Sequence, residues 1–203
     1  MRSIGERLLV SLLCVLLGAA VYYTASAGML LALSAAAAVH ELSHLAAMLL
    51  LGCRPSAFRL EPSGFCIEYR GNEDGLSAFL IALSGPLGGV LAAAAGQILF
   101  LHSGCEWPGL FSRLSLLLSA FNLLPILPLD GGRLFQLLCI RALGRERGLR
   151  FSARSSGILA VMTLVAGVWC LLQNAGSAPL LAAIWLLCMQ FESRPLAKGT
   201  QMG

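Results

Sequence analysis

The sequence predicts an all-α polytopic membrane protein: six transmembrane helices, with a short β-hairpin at the membrane boundary after the second. Three observations lead there. The first is composition. Of 203 residues, 58% are hydrophobic and 12% are charged, with a mean hydropathy of +0.81, whereas a soluble domain carries about 25% charged residues. The second is a set of uncharged runs, some too long for a single crossing. The third is the placement of the basic residues, which fall on alternate loops.

From Leu8 to Val39 no residue is charged, and apolar character continues around Glu41 to Leu51. As a helix this stretch would be about 66 Å long, and a bilayer core of about 30 Å needs only about 20 residues. It therefore holds two spans, 8–27 and 28–51, turning near Ser26-Ala27-Gly28. Residues 76–101 form a third span. The fourth, 110–142, is interrupted at Asn122-Leu123-Leu124-Pro125 and restarts beyond Asp130-Gly131-Gly132. Ser155 to Phe191 is again uncharged and too long for one crossing. Its polar break, Gln173 to Pro179, gives spans 155–173 and 178–191.

Six spans place both termini on one side. Arg2 and Arg7, then Arg54, Arg59 and Arg70, then Arg141, Arg145, Arg147, Arg150 and Arg154, and finally Arg194 and Lys198 all fall on that side. The opposite loops carry no Lys or Arg. Cytoplasmic loops of membrane proteins are enriched in Lys and Arg, so both termini are expected in the cytoplasm of a bacterial cell. Met1 to Ala27 also has the layout of a secretory signal, with Ala25-Ser26-Ala27 as a cleavage site. Its apolar stretch reaches spanning length, longer than a signal core, which favours a retained span.

After the second span, Phe58-Arg59-Leu60-Glu61 and Phe65-Cys66-Ile67-Glu68-Tyr69-Arg70 alternate apolar and polar residues around Pro62-Ser63-Gly64. That period of two predicts the hairpin, and such a strand can pair with an extended peptide. The seven cysteines form no CxxC pair, and a cysteine in an apolar stretch usually serves as a small hydrophobe. No basic run suits nucleic acid. One domain covering 1–203 is expected, in contact with the lipid bilayer.

The chemistry is concentrated at His40-Glu41-Leu42-Ser43-His44. Histidines at i and i+4 lie on one helix face, where two imidazoles can hold zinc and the intervening glutamate can take a proton from a water. An ionisable group within lipid costs several kcal/mol, which makes this placement a functional hypothesis. Catalytic zinc usually has a third protein ligand. Apart from Glu41, only Asp130 among the ten acidic residues falls in an apolar span. It follows Pro125 and Pro128, and broken backbone at membrane depth is tolerated only where it is buried or lines a wet cavity. His40, His44 and Asp130 are therefore the expected ligands of one Zn²⁺.

These motifs resemble those of the site-2 protease family: His40-Glu41-Leu42-Ser43-His44, Ser84-Gly85-Pro86, and Asn122-Leu123-Leu124-Pro125 with Leu129-Asp130-Gly131-Gly132. The resemblance covers spans two to four, with a catalytic core at about 28–142. It implies an intramembrane zinc metalloprotease acting on a membrane-embedded or membrane-associated substrate. In that reading Glu41 is the catalytic base and Asn122 positions substrate. The short form looks most like the bacterial sporulation branch, which releases a sigma factor from a membrane-associated pro-form. The chain has Gly89 where many relatives carry asparagine. Two other readings use the same residues: a metal-coupled carrier, and an inactive relative that binds transmembrane segments as a scaffold. A carrier is expected to show paired interrupted helices and repeated halves. A scaffold has no need of Glu41.

Overall fold

The structure is a computed structural model in which residues 25–61, 64–70, 75–174 and 178–193 are described. Six helices occur among them. α1 is Ala27–Leu50, α2 Gly75–Ser103, α3 Glu106–Asn122, α4 Asp130–Leu143, α5 Arg145–Leu172 and α6 Ala178–Ser193. Between α1 and α2, β1 (Arg54–Glu61) and β2 (Gly64–Arg70) pair antiparallel, with Phe58 opposite Ile67 and an irregularity between Pro55 and Ala57.

The expectation of six membrane-crossing helices is overturned. Among the described residues three helices are long and apolar enough to cross a membrane: Ala27–Leu50, Gly75–Ser103 and Arg145–Leu172. The first predicted span, 8–27, lies almost wholly outside the described residues. The interrupted fourth span is two separate helices, α3 and α4. At 14 residues, α4 is only about 21 Å long, short of a bilayer core. The apolar part of α6, Pro179–Gln190, is likewise short. Hydropathy counts apolar residues along the chain, but a crossing needs one unbroken helix, and the segment around Pro125 and Pro128 ends it. The fifth span starts earlier than predicted. The arginines at its start are good helix formers, so the helix runs back to Arg145 although the charges lie outside the apolar run.

Ser26 caps α1, its Oγ accepting from the Met29 N–H at 3.2 Å. Ala32, Ala36, His40, His44 and Met48 recur every fourth residue and are buried, which places both histidines on the packed stripe. The helix ends at Gly52, whose φ of 71° suits glycine. The Gly52 N–H donates to Leu49 O and the Cys53 N–H to Met48 O, the paired bonds of a Schellman stop. Met48 and Cys53 then pack with Ile81 of α2.

α2 buries a stripe of mostly small residues, including Gly85, Pro86, Gly89, Ala93 and Gly96. Small residues let helices approach closely where lipid supplies no hydrophobic drive. Gly88 faces Ser43 Oγ of α1, and Gly89 faces Ser119 Oγ of α3. An asparagine at 89 would displace Ser119. On α3, Ser112 Oγ donates to Ala93 O at 2.6 Å. The second half of the molecule, α4 to α6, joins the first through contacts between α2 and α4 and through the segment 123–129. There Ile126 and Leu129 pack with Ala160 of α5 and Leu186 of α6.

Candidate metal centre

His40 and His44 sit one turn apart on the buried face of α1, and α4 begins opposite them with Asp130. The segment 123–129 folds back tightly over the start of α4. A β-carbon on Gly131 would strike Leu123 O, and one on Gly132 would meet Ile126 O at 2.5 Å. Both glycines are therefore required by close approach, and the turn they permit carries Asp130 to the histidines. As the first residue of α4, Asp130 also lies at the positive end of the helix dipole.

Three atoms converge. His40 Nε2 lies 3.0 Å from Asp130 Oδ2, His44 Nε2 lies 3.2 Å from the same oxygen, and the two Nε2 atoms are 3.2 Å apart. All three residues are buried. The imidazole rings stand nearly perpendicular, at 84°. Below them α2 passes with Gly85, where a β-carbon would strike His44 Nε2 and come within 2.8 Å of His40 Nε2.

The tautomer of His44 is set by its other nitrogen. Nδ1 lies 2.7 Å from Ile81 O, so Nδ1–H donates and the lone pair stays on Nε2. Ser84 Oγ also donates to Ile81 O at 2.7 Å and lies 3.4 Å from His44 Nδ1. A ligating histidine ordinarily has its second nitrogen held in this way. The His40 Nδ1 is buried with no partner among the described residues.

The donor set fits a zinc ion. Two imidazole nitrogens and one carboxylate oxygen are three of the four ligands of a catalytic zinc site. Tetrahedral ligands at about 2.0–2.1 Å from a metal stand roughly 3.4 Å from one another, close to the 3.0–3.2 Å separations here. His40, His44 and Asp130 thus form a group that can hold a metal.

Glu41, on the same turn of α1, is half-buried. Asn122 is also half-buried, at the end of α3, and its Nδ2 donates to Leu118 O at 3.0 Å. None of the hydrogen bonds described at the centre involves it; the structure brings His40, His44 and Asp130 together. The sequence offers Ser84-Gly85-Pro86 only as a family motif. It does not reveal the Ile81 carbonyl, a backbone atom that leaves no mark in sequence.

Residues 87–166 match the model of Peptidase family M50. They include Asp130 and begin after the histidine pair. The chain is 30% identical over 155 residues to stage IV sporulation protein FB of Bacillus subtilis, covering 73% of this chain and 51% of that protein. It is 30% identical over 157 residues to Rip3 of Mycobacterium tuberculosis, provisionally named a zinc metalloprotease, covering 73% of this chain and 40% of that one. The chain spans about half the length of the curated relatives it matches. Its fold is that of a site-2 protease from Methanocaldococcus jannaschii, with a TM-score of 0.68 over 96% of this chain and 91% of the other at 20% identity.

Proposed function

We propose that this chain is a member of the site-2 protease family, with a Peptidase family M50 match over residues 87–166, and an intramembrane zinc metalloprotease that hydrolyses peptide bonds in membrane-embedded or membrane-associated proteins. The observation that carries the reading is the convergence of His40, His44 and Asp130 from two helices that are distant in sequence. A pro-sigma or anti-sigma factor is the substrate class that the resemblance to the sporulation branch favours.

His40 Nε2, His44 Nε2 and an Asp130 carboxylate oxygen would hold the metal. Zinc at such a site acidifies water towards neutrality and polarises a carbonyl. Glu41 accepts the proton of the attacking water and passes it to the leaving amine. Asn122 has a second amide hydrogen beyond the one given to Leu118, and the family resemblance assigns it to positioning substrate. Gly85 leaves the space beside both histidines free of side chain. A helical substrate must unwind locally, because its carbonyls are otherwise bonded within its own helix.

Glu41→Gln preserves the shape and removes the base, and it touches none of the three proposed ligands. General-base catalysis contributes roughly 10²- to 10⁴-fold. Cleavage of a co-expressed membrane substrate should fall by that much while the protein still holds about one zinc per chain. Replacing His40, His44 or Asp130 with alanine should lower the zinc content itself. Normal processing by Glu41→Gln would leave a carrier or a scaffold as the better account, since neither needs that proton transfer.

A further inference from the structure

The outward face of α5 changes character along its length. Gly148, Ser152 and Ser156 are buried and form one stripe against the rest of the protein. At about 100° per residue, Arg147, Arg150 and Arg154 lie roughly opposite that stripe, and all three are exposed. Further along the same sector come Ile158, Val161 and Val165, exposed at 64%, 53% and 64%. The helix has 28 residues, about 42 Å, against a hydrocarbon core of about 30 Å. Some two turns therefore extend beyond the core, and the arginines occupy the end that extends. In the Glu146–Arg150 pair, at 3.2 Å, the side chains are 87% and 67% exposed, so Arg150 can exchange that carboxylate for another anion.

We propose that this face of α5 is a binding site for one anionic phospholipid. Its phosphate is held by Arg147, Arg150 and Arg154, and its acyl chains lie along Ile158, Val161 and Val165. Charge complementarity selects the headgroup, and the apolar continuation below it selects a lipid over a soluble phosphate. Arginine suits the role because its planar fork binds phosphate oxygens bidentately, and its aliphatic stem covers apolar surface at the interface. The inference rests on α5 crossing the bilayer and is independent of the protease reading.

The test is native mass spectrometry of the purified full chain in neutral detergent, titrated with phosphatidylglycerol, phosphatidylcholine or soluble glycerol phosphate. Phosphatidylglycerol should bind at one saturable site and phosphatidylcholine should bind far more weakly. Each basic residue near an anionic headgroup contributes roughly fivefold, so Arg147→Gln/Arg150→Gln/Arg154→Gln should lose on the order of a hundredfold in affinity. Arg113→Gln, an exposed arginine on α3, should retain wild-type binding. Unchanged affinity in the triple variant, or an equal loss in Arg113→Gln, would overturn the site. Glycerol phosphate binding as tightly as the lipid would overturn the role of the acyl chains. Helicity by circular dichroism keeps a misfolded variant from being read as a loss of binding.

Discussion

A single hydrogen on Gly85 decides whether the two imidazoles can stand where they do. Alanine is favoured over glycine inside a helix by roughly 0.5–1 kcal/mol, so Gly85→Ala should help α2 as a helix. Its β-carbon would nevertheless strike His44 Nε2 and press on His40 Nε2, the two atoms that face Asp130. His44 cannot withdraw without giving up the Nδ1–H bond to Ile81 O. Mutating groups that orient metal ligands typically lowers affinity 10- to 100-fold. Overpacking a buried site typically costs about 1–3 kcal/mol, more than that helix gain, so Gly85→Ala should lower thermal stability and weaken zinc retention against a chelator at least about tenfold. Wild-type zinc retention in that variant would mean the histidines are not pinned by α2. The motif itself was legible at this scale, since His40, Glu41, His44 and Asp130 are ionisable residues in apolar sequence. The Ile81 carbonyl was not, because every residue has one.

The element that places Asp130 is the segment between α3 and α4, and it is held from outside by a serine. The Leu127 N–H donates to Ser156 Oγ of α5 at 2.7 Å. Gln190 Nε2 of α6 donates to that same oxygen at 2.7 Å and to Ser156 O at 2.9 Å. Ser156 is 2% exposed, so removing its hydroxyl strands a backbone N–H and weakens the hold on an amide. Leaving a buried donor unsatisfied costs about 1–3 kcal/mol, and here the slack falls within three residues of Asp130. Ser156→Ala should lower both thermal stability and zinc retention. Ser112→Ala also removes a buried hydroxyl, but one that among the described residues bonds Ala93 O between α2 and α3, so it should lower stability alone. Equal zinc loss in the two variants would make Ser156 an ordinary packing contact. The prolines and glycines of this segment marked a broken helix in the sequence. The serine that ties it down was invisible, because Ser156 looks like any serine at the start of an apolar run and its partners lie 29 and 34 residues away.

Counting spans from hydropathy overshot because it assigned every apolar run to one crossing helix, yet the charge asymmetry still requires the chain to change sides between α2 and α5. α1 runs from Ser26 towards Arg54 and α2 returns to His102, so α3, the segment 123–129 and α4 must together bring the chain back for α5 to start from Arg145 on the arginine-rich side. Trp107 stacks on Phe111 beside the α2–α3 turn, as suits aromatic side chains at the lipid–water boundary. The positive-inside rule predicts Arg145–Arg154 on the cytoplasmic side and the α2–α3 turn outside. Cys105 sits in that turn and is exposed, whereas Cys53 and Cys139 are buried. A membrane-impermeant maleimide added to intact cells should label the wild-type chain, and the labelling should fall in Cys105→Ser. In a Cys105→Ser background, Arg150→Cys should resist the reagent in intact cells and react once the membrane is opened. If Arg150→Cys were labelled in intact cells while Cys105 was not, the molecule would be inverted. α1 and α4 would then present His40, His44 and Asp130 in the opposite vertical sense, and the scissile bond of the proposed substrate would have to be sought on the other side of the bilayer.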